Sequence, residues 1–277
     1  MDLASEIERN VAAALAEDVG SGDLTAPLTP AGKTARAVVM CRQEAVICGQ
    51  PWFDATFFNL DARATVSWSA AEGMQVAAGT RICEIQGQAR ALLAGERTAL
   101  NFLQTLSAVA TMTRRYVDAV AGTRAKIVDT RKTLPGLRLA QKYAVRVGGG
   151  SNHRLGLYDA MLIKENHIAA AGGIRQAMTQ ARKLADTGAW IQVEVETLDQ
   201  LREALDAGAT MILLDNMSPH RMREAVKIAG DRAELEASGS ITLENVRAIA
   251  ETGVHRISVG ALTKDVKAAD FSMRFES

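Results

Sequence analysis

The sequence lacks most features that mark secreted, membrane-spanning or metal-binding proteins. It has only three cysteines, Cys41, Cys48 and Cys83, and they form neither a CxxC pair nor a zinc-type spacing. No apolar run reaches the roughly 18 residues that a membrane-spanning helix needs. The start of the chain is acidic and amphipathic, unlike a signal peptide. These absences predict a cytoplasmic protein with reduced thiols and no membrane association.

A net charge is also missing, because 32 Lys and Arg residues balance 32 Asp and Glu residues. Nucleic-acid-binding domains usually carry a net basic face, so the balance predicts that the chain has no nucleic-acid partner. Apolar residues make up 48% of the 277 positions, enough to form a full core in one or two domains.

One stretch departs from this balance. Between residues 124 and 165 there are nine Lys or Arg residues and only three Asp or Glu residues. The stretch contains five cationic side chains of interest, Arg131, Lys132, His153, Arg154 and Lys164. A local cation excess in a neutral chain predicts an anionic ligand.

The N-terminal part of the chain is typical of a small α/β unit. Ser5–Glu17 is predicted as a helix opened by a Ser5/Glu8 capping box. Short strand-like runs follow between residues 35 and 85, and residues 89–121 form one long helical pattern. We predict a sandwich domain over residues 1–105, joined by the C-terminal tail 268–277.

The rest of the chain alternates strand and helix, which predicts an α/β-barrel domain over residues 106–267. The predicted strands are Lys126–Asp129, Ala160–Ile163, Trp190–Val195, Met211–Leu214, Glu234–Ala237 and Arg256–Val259. The predicted helices are Gly173–Asp186 with a stop at Gly188, Leu198–Ala207, Arg221–Ala229 and Leu243–Glu251. Four strand ends, at positions 194, 215, 238 and 260, are 21, 23 and 22 residues apart, about one βα step each.

Two of these strands carry polar residues at every second position. Gln192, Glu194 and Glu196 share one face of their strand, and Glu234, Glu236 and Ser238 share one face of another. A buried carboxylate is costly unless it is paired or bound to a ligand. The pattern predicts a polar column inside the barrel, matched either by the cations above or by an internal salt-bridge network without a ligand.

Charged and small residues follow the strands, where the mouth of a barrel collects its functional groups. Arg131 and Lys132 follow the first predicted strand, Lys164 the second and Asp215 the fourth. Small, glycine-containing turns, Ser238–Ser240 and Gly260–Ala261, follow the last two strands, a place where barrels commonly bind phosphate.

Several motifs in this order resemble quinolinate phosphoribosyltransferases. They are EDVGSGDLTA, GERTALNFLQ, DTRKTLPGLR, GGGSNHRLGL, LIKENHI, VEVE, LLDN, EASGSI and ISVGALT. The resemblance implies an incomplete, open α/β barrel of about six to seven strands beside a small N-terminal α/β sandwich domain. Ser240 is a mild departure, since many relatives carry glycine there.

The resemblance implies transfer of the phosphoribosyl group of PRPP to quinolinate, with loss of CO2. The products would be nicotinate mononucleotide and pyrophosphate, a step of de novo NAD biosynthesis. Mg2+ would accompany PRPP, and Glu194 and Asp215 are candidate ligands through PRPP or water. The family works as a homodimer with shared sites, in which Arg97 reaches the neighbouring subunit; assembly beyond the dimer is left open.

The site residues implied by the resemblance fall into three groups. Lys132, Glu194 and Asp215 would act at the reacting centre. The anions of the two substrates would be bound by Arg97, Thr130, Arg131, Lys132, His153, Arg154 and Lys164. The 5′-phosphate would be bound by Ser238, Gly239, Ser240, Val259, Gly260 and Ala261. Two alternatives stay open: a related transferase that does not decarboxylate, and a phosphometabolite-binding protein without turnover.

Overall fold

Within residues 2–185 and 189–276, which the computed structural model describes, the chain forms twelve strands and ten α-helices. The strands are β1 (Thr34–Cys41), β2 (Ala45–Val46), β3 (Thr65–Trp68), β4 (Gln75–Val76), β5 (Arg81–Gln88), β6 (Lys126–Val128), β7 (Ala160–Ile163), β8 (Trp190–Val195), β9 (Met211–Asp215), β10 (Glu234–Ser238), β11 (Arg256–Ser258) and β12 (Phe271–Glu276). The helices are α1 (Leu3–Val19), α2 (Gln50–Leu60), α3 (Ala89–Ala119), α4 (Arg138–Val147), α5 (Glu165–Ala171), α6 (Ile174–Leu184), α7 (Leu198–Asp206), α8 (Pro219–Ala229), α9 (Val246–Ala250) and α10 (Ala261–Lys264).

These elements group into two compact units. The first unit consists of Met1–Arg114, Thr133–Gly149 and Asp265–Ser277, and the second of Arg115–Lys132 and Gly150–Lys264. The predicted domain division at residue 105 stays a prediction.

The first unit is built on an antiparallel sheet with the strand order β12-β1-β5-β3. The C-terminal strand β12 pairs with β1, and Phe271 lies opposite Cys41. Apolar side chains of the sheet pack with those of α2 and α3, among them Phe53, Phe57 and Leu103, in one buried core. Burial of this apolar surface is the main force that holds the unit together.

The second unit is built on a parallel sheet with the order β6-β11-β10-β9-β8-β7. Ser151 extends this sheet through a parallel bridge to Val128 at the β6 edge. Because β6 and β7 are the two edges of this sheet and do not pair with each other, the six strands form an open barrel, which confirms the predicted fold class. In β8 Val193 and Val195 are buried on one face, and on the other face Gln192 is buried as well while Glu194 is half-buried.

The boundaries of the predicted elements need a few corrections. The six strands of the second unit all exist within one residue of prediction, and Thr197 and Gln200 form the predicted capping box of α7. The Ser5/Glu8 capping box is wrong, because Asp2 is the N-cap of α1 and accepts a hydrogen bond from the backbone N–H of Ser5.

The helices also differ from prediction. The predicted helix Leu243–Glu251 shortens to α9, and α4, α5 and α10 have no counterpart among the predicted elements. The predicted helix end at Asp186 and Gly188 lies outside the described residues. Across residues 2–185 and 189–276, no helix has the length and apolarity needed to cross a membrane.

Candidate active site

The parallel sheet of the second unit brings the ends of its strands to one edge. Asp215 at the end of β9 lies in register with Ser238 at the end of β10, and Glu194 on β8 lies opposite Leu213. Residues that follow β6, β7 and β11 reach the same edge because all these strand pairings are parallel. The candidate residues of the second unit, which run in sequence from Thr130 to Ala261, therefore lie around one rim.

Two arginines at this rim lie close enough to affect each other. Arg154 is only 8% exposed, and its Nη1 donates to the backbone oxygen of Ala160 at 3.2 Å. Burial lowers the pKa of Arg154, the positive charge of Arg131 lowers it further, and Asp159 acts in the opposite direction. Like charges held side by side favour the binding of an anion between them.

These arginines line a cavity of about 550 Å³ together with Lys164. The rest of its wall is mostly apolar and comes from β7, α5 and α6, with Ala170 and Ala177 among the lining residues. A flat apolar ring with anionic substituents is the kind of molecule that such a cavity accommodates.

An acidic group lies beside these cations. Lys164 Nζ is 3.5 Å from Glu194 Oε2. Burial raises the pKa of Glu194, Lys164 opposes this rise, and the negative charge of Asp215 adds to it. Asp215 Oδ2 in turn accepts a hydrogen bond from Asn216 Nδ2 at 3.0 Å.

The carboxylates of Glu194 and Asp215 suit a metal ion that binds together with a phosphate-containing substrate. The described residues contain no group of three or more His, Cys, Asp or Glu side chains that could hold a metal ion alone. Mg2+ commonly binds one or two protein carboxylates and takes its other ligands from substrate phosphates and water. Glu194 and Asp215, whose charges interact, supply such a pair of oxygen donors.

Lys132 is held at the rim by its own backbone. Its N–H donates to Thr130 Oγ1 at 3.0 Å, and its carbonyl accepts from Thr263 Oγ1 at 2.7 Å. Its side chain passes over Gly260, where an added Cβ would lie 3.2 Å from Lys132 Cδ. A side chain at position 260 would therefore force the Lys132 side chain to shift by a few tenths of an ångström.

The turn after β10 has an unusual backbone. Asn216 and Ser240 both have positive φ angles, 50° and 51°, although neither is glycine. The Asn216 N–H donates to the Ser238 carbonyl at 3.0 Å, and Asn245 Nδ2 donates to the Ser240 carbonyl at 2.9 Å. At Gly239, whose φ is 96°, an added Cβ would overlap Asn216 Oδ1. The turn is thus tightly packed between β9 and β10.

The neighbouring turn after β11 follows the buried Val259, whose N–H donates to the Val128 carbonyl at 2.9 Å. Gly260 and Ala261 lead from there into α10. The binding of the 5′-phosphate by these two turns stays a prediction.

His153 is placed differently from the other predicted ligands. It is 8% exposed, its Nδ1 accepts from the Arg154 N–H at 2.9 Å, and its Nε2 lies 3.0 Å from Gln192 Oε1. Both ring nitrogens thus contact protein groups, and direct binding of substrate by this ring stays a prediction. Arg97 lies exposed on α3 in the first unit, and its predicted role at a partner's site also stays a prediction.

The predicted polar column exists in part. Gln192 and Glu236 are fully buried and Glu194 is half-buried, but Glu196 and Glu234 are exposed, so the column is wrong for those two residues. Glu236 Oε2 lies 3.1 Å from Arg256 Nε, a cation outside the predicted cluster. This part of the column is an internal ion pair.

Two polar residues near the rim, Asp129 and His167, were not among the predicted site residues. Asp129 is fully buried after β6 and accepts hydrogen bonds from the His153 backbone and the Asn152 side chain. His167 Nδ1 accepts from the Lys164 N–H at 3.0 Å, and the ring lines the cavity. The position of Asp129 directly after a strand was a signal, whereas nothing local distinguishes His167.

The chain matches two domain families. Residues 23–107 match the N-terminal domain of quinolinate phosphoribosyl transferase, and residues 109–274 match its C-terminal domain. A Bacillus subtilis protein described as a probable carboxylating nicotinate-nucleotide pyrophosphorylase is 45% identical over 257 residues, covering 93% of this chain and 89% of the relative. A decarboxylating quinolinate phosphoribosyltransferase of Nicotiana glauca is 38% identical over 284 residues, covering 95% and 81%.

Solved structures agree with this match. The nicotinate-nucleotide pyrophosphorylase of Francisella tularensis superposes with a TM-score of 0.95 at 46% identity, covering 98% of this chain and 96% of that one. NadC of Streptococcus pyogenes gives a TM-score of 0.95 at 39% identity, covering 99% and 98%. Both domains, the sequence relatives and the solved structures agree, and the chain therefore belongs to the quinolinate phosphoribosyltransferase family.

Proposed function

We propose that this chain transfers the phosphoribosyl group of PRPP to the ring nitrogen of quinolinate, with loss of CO2. The products are nicotinate mononucleotide and pyrophosphate, and the reaction is a step of NAD biosynthesis. Membership of the family supports the reaction, and the chemistry of the rim supports the substrates.

The observation that carries the proposal is the pair Arg131 and Arg154, which share one cavity with Lys164. Quinolinate carries two carboxylates on an apolar ring. Guanidinium groups bind carboxylates through paired N–H donors, so two arginines and a lysine suit a dicarboxylate better than a monoacid. The apolar wall formed by α5 and α6 suits the face of the ring.

The reacting centre lies, in this proposal, between the cations and the acidic pair. The bond between ribose C1′ and pyrophosphate breaks while the ring nitrogen attacks C1′, and positive charge develops on the ribose. Glu194 and Asp215 stabilise this charge or bind the ribose hydroxyls, and Lys132 binds the departing pyrophosphate. When Mg2+ is bound with PRPP, it neutralises part of the pyrophosphate charge.

No general base is needed, because the attacking ring nitrogen carries no proton. Once this nitrogen is bonded to ribose, its positive charge accepts the electron pair released as the 2-carboxylate leaves as CO2. The site therefore needs fixed cations and carboxylates more than a proton shuttle. The predicted phosphate turns, Ser238–Ser240 and Val259–Ala261, would bind the 5′-phosphate of both PRPP and the product.

We also propose that the working unit is a homodimer in the cytoplasm, with Arg97 of each subunit completing the partner's site. This part rests on the resemblance of the GERTALNFLQ motif to the family. Exposure of Arg97 on α3 is compatible with such a role.

The test is an assay of the purified chain with PRPP and Mg2+, using quinolinate in one series and nicotinate in the other. We expect pyrophosphate and CO2 release with quinolinate only. Pyrophosphate release with nicotinate alone would assign the chain to a transferase that does not decarboxylate. Binding of PRPP without release in either series would identify a binding protein instead.

A further inference from the structure

A chain of hydrogen bonds runs through the interior of the second unit and ends beside Arg154. The Arg154 N–H donates to His153 Nδ1 at 2.9 Å, and His153 Nε2 lies 3.0 Å from Gln192 Oε1. Gln192 Nε2 donates to Glu236 Oε2 at 3.1 Å, and Arg256 Nε lies 3.1 Å from the same oxygen. Gln192 and Glu236 are both fully buried, so solvent cannot replace these partners.

From Arg154 to Glu236 the donors in this chain all point the same way, and Arg256 meets Glu236 from the other side. Because His153 Nδ1 accepts a backbone N–H, the proton of the neutral ring sits on Nε2. That N–H donates to Gln192 Oε1, which leaves the Gln192 amide group to donate to Glu236. Glu236 Oε1 also lies 3.5 Å from His153 Nε2. The tautomer of His153 and the orientation of Gln192 are thus fixed together by a carboxylate that contacts both side chains and whose charge Arg256 balances.

Other contacts hold the same short segment. The His153 N–H donates to Asp129 Oδ1 at 2.8 Å, and Asn152 Nδ2 donates to Asp129 Oδ2 at 2.6 Å. The edge of the His153 ring packs against Trp190, with ring centroids 5.0 Å apart. His153 is therefore fixed both to the end of β6 and to the start of β8.

Arg154 needs such support because its surroundings disfavour its charge. Burial and the positive charge of Arg131 both lower its pKa, whereas Asp159 acts in the opposite direction and the Ala160 carbonyl accepts a hydrogen bond from Arg154 Nη1. A backbone fixed through His153 adds to these contacts in keeping the two like charges together before substrate binds. Residues held by a supporting layer of hydrogen bonds keep the productive geometry that mobile ones lose.

We propose that Gln192, oriented by Glu236 and Arg256, is a positioning residue for substrate recognition. It fixes the His153 ring, the ring fixes the backbone N–H of Arg154, and the Arg154 guanidinium is thereby aligned with Arg131 on one substrate carboxylate. This inference rests on the proposed function, since it assigns the two arginines to a carboxylate of quinolinate.

The test compares Gln192→Leu with the wild-type chain. We expect the KM for quinolinate to rise about 10- to 100-fold, as for other outer supporting residues, with kcat within a factor of about three and the KM for PRPP unchanged. Gln192→Met, which keeps the length of the side chain, is the second variant if Gln192→Leu fails to fold.

Thr252→Val is the matched control for lost stability. Thr252 is buried and donates to the Ile249 carbonyl at 2.6 Å, away from the rim. The Thr252→Val variant should have a lower Tm than the wild type and an unchanged KM for quinolinate. The inference would be overturned if the KM for quinolinate is unchanged in both Gln192 variants, or if it rises equally in Thr252→Val. In either case, turnover of quinolinate by the wild type would still support the proposed function.

A spectroscopic measurement gives a readout independent of turnover. The chain has four histidines, so nitrogen NMR of labelled protein can identify His153 by difference from His153→Asn. We expect the Nε2–H tautomer in both the wild type and Gln192→Leu, because the Arg154 N–H still donates to Nδ1, but a shifted Nε2 resonance in Gln192→Leu, because the Gln192 acceptor is lost. A wild-type ring protonated at Nδ1 would contradict the direction of the hydrogen-bond chain.

Discussion

Lys164 Nζ lies 3.5 Å from Glu194 Oε2, across the ends of the adjacent strands β7 and β8. Half of the lysine side chain is exposed, whereas only 16% of the glutamate is. An exposed ion pair contributes little to stability, so this pair is better explained by its effect on the charge of Glu194. Burial and Asp215 both raise the pKa of Glu194, and Lys164 lowers it.

The first prediction concerns the acidic limb of the rate profile. If ionised Glu194 is required, kcat/KM falls as the pH drops through its raised pKa. Asp215→Asn removes a negative neighbour and should move this limb to lower pH. Lys164→Met removes a positive neighbour and should move it to higher pH. Both shifts are measured from profiles of kcat/KM between about pH 4 and pH 8. This range covers the titration of a carboxyl group with a raised pKa. Shifts in the same direction would contradict the role of Glu194.

The second prediction separates catalysis from binding. Lys132→Ala should lower kcat by about 100- to 1,000-fold, because a fixed cation at the leaving pyrophosphate is lost, while the Kd for PRPP rises far less. Steady-state kinetics and calorimetric titration with PRPP measure the two quantities. Lys227→Ala, an exposed lysine on α8, is the control. Unchanged turnover in Lys132→Ala would refute the assignment.

The third prediction concerns the shared site. Arg97→Ala and Lys132→Ala should each be inactive, because each lacks one part of every site. If Arg97 serves the partner's site, mixed dimers contain one intact site, and an equal mixture should recover up to about a quarter of wild-type activity. Subunit exchange is verified with differently tagged chains. No recovery after confirmed exchange would mean that both residues serve the same subunit's site.

The fourth prediction concerns the backbone at Ser240. A non-glycine residue in the left-handed region costs about 1–2 kcal/mol, and glycine does not bear this cost. Ser240→Gly should therefore be more stable than Ser240→Ala by about 1 kcal/mol in urea unfolding. Equal stability of the two variants would show that the turn bears no strain.

The fifth prediction concerns the first unit. Burial raises the pKa of Asp54 to about 6, although Trp68 Nε1 donates to its Oδ1 at 3.0 Å and lowers it. The folded state then holds a proton more tightly than the unfolded state. Stability from this group is present below about pH 4 and is lost as the pH rises through 6.

Asp54→Asn keeps the acceptor for Trp68 without the charge. It should raise the free energy of unfolding at pH 7 by about 1 kcal/mol, allowing for solvent screening of this partly exposed group, and have little effect near pH 4. Unfolding in urea at both pH values measures this. Asp118→Asn, on the exposed face of α3, is the control. A gain that is equal at both pH values would contradict a titration at Asp54.

Regular elements of the second unit could be predicted because their signals are local. Apolar runs such as MILL lie between a glycine and a polar strand end, and Thr197 with Gln200 forms a capping box that needs no tertiary contact. The cap of α1 could not be decided this way, because Asp2 and Ser5 are both competent caps and the helix starts at the earlier one.

Sequence by itself determined which charges the protein carries. Through strand spacing it also determined that Arg131, Lys164, Glu194 and Asp215 lie at or just after the ends of four successive strands. Parallel pairing then requires these residues to share one edge. Only the tertiary structure decided which polar strand residues face that site and which support it from inside. Gln192, Glu194 and Glu196 alternate identically in sequence, yet one is buried, one half-buried and one exposed. Burial depends on depth along the barrel and on partners such as Arg256, distant in sequence, and no local pattern encodes either.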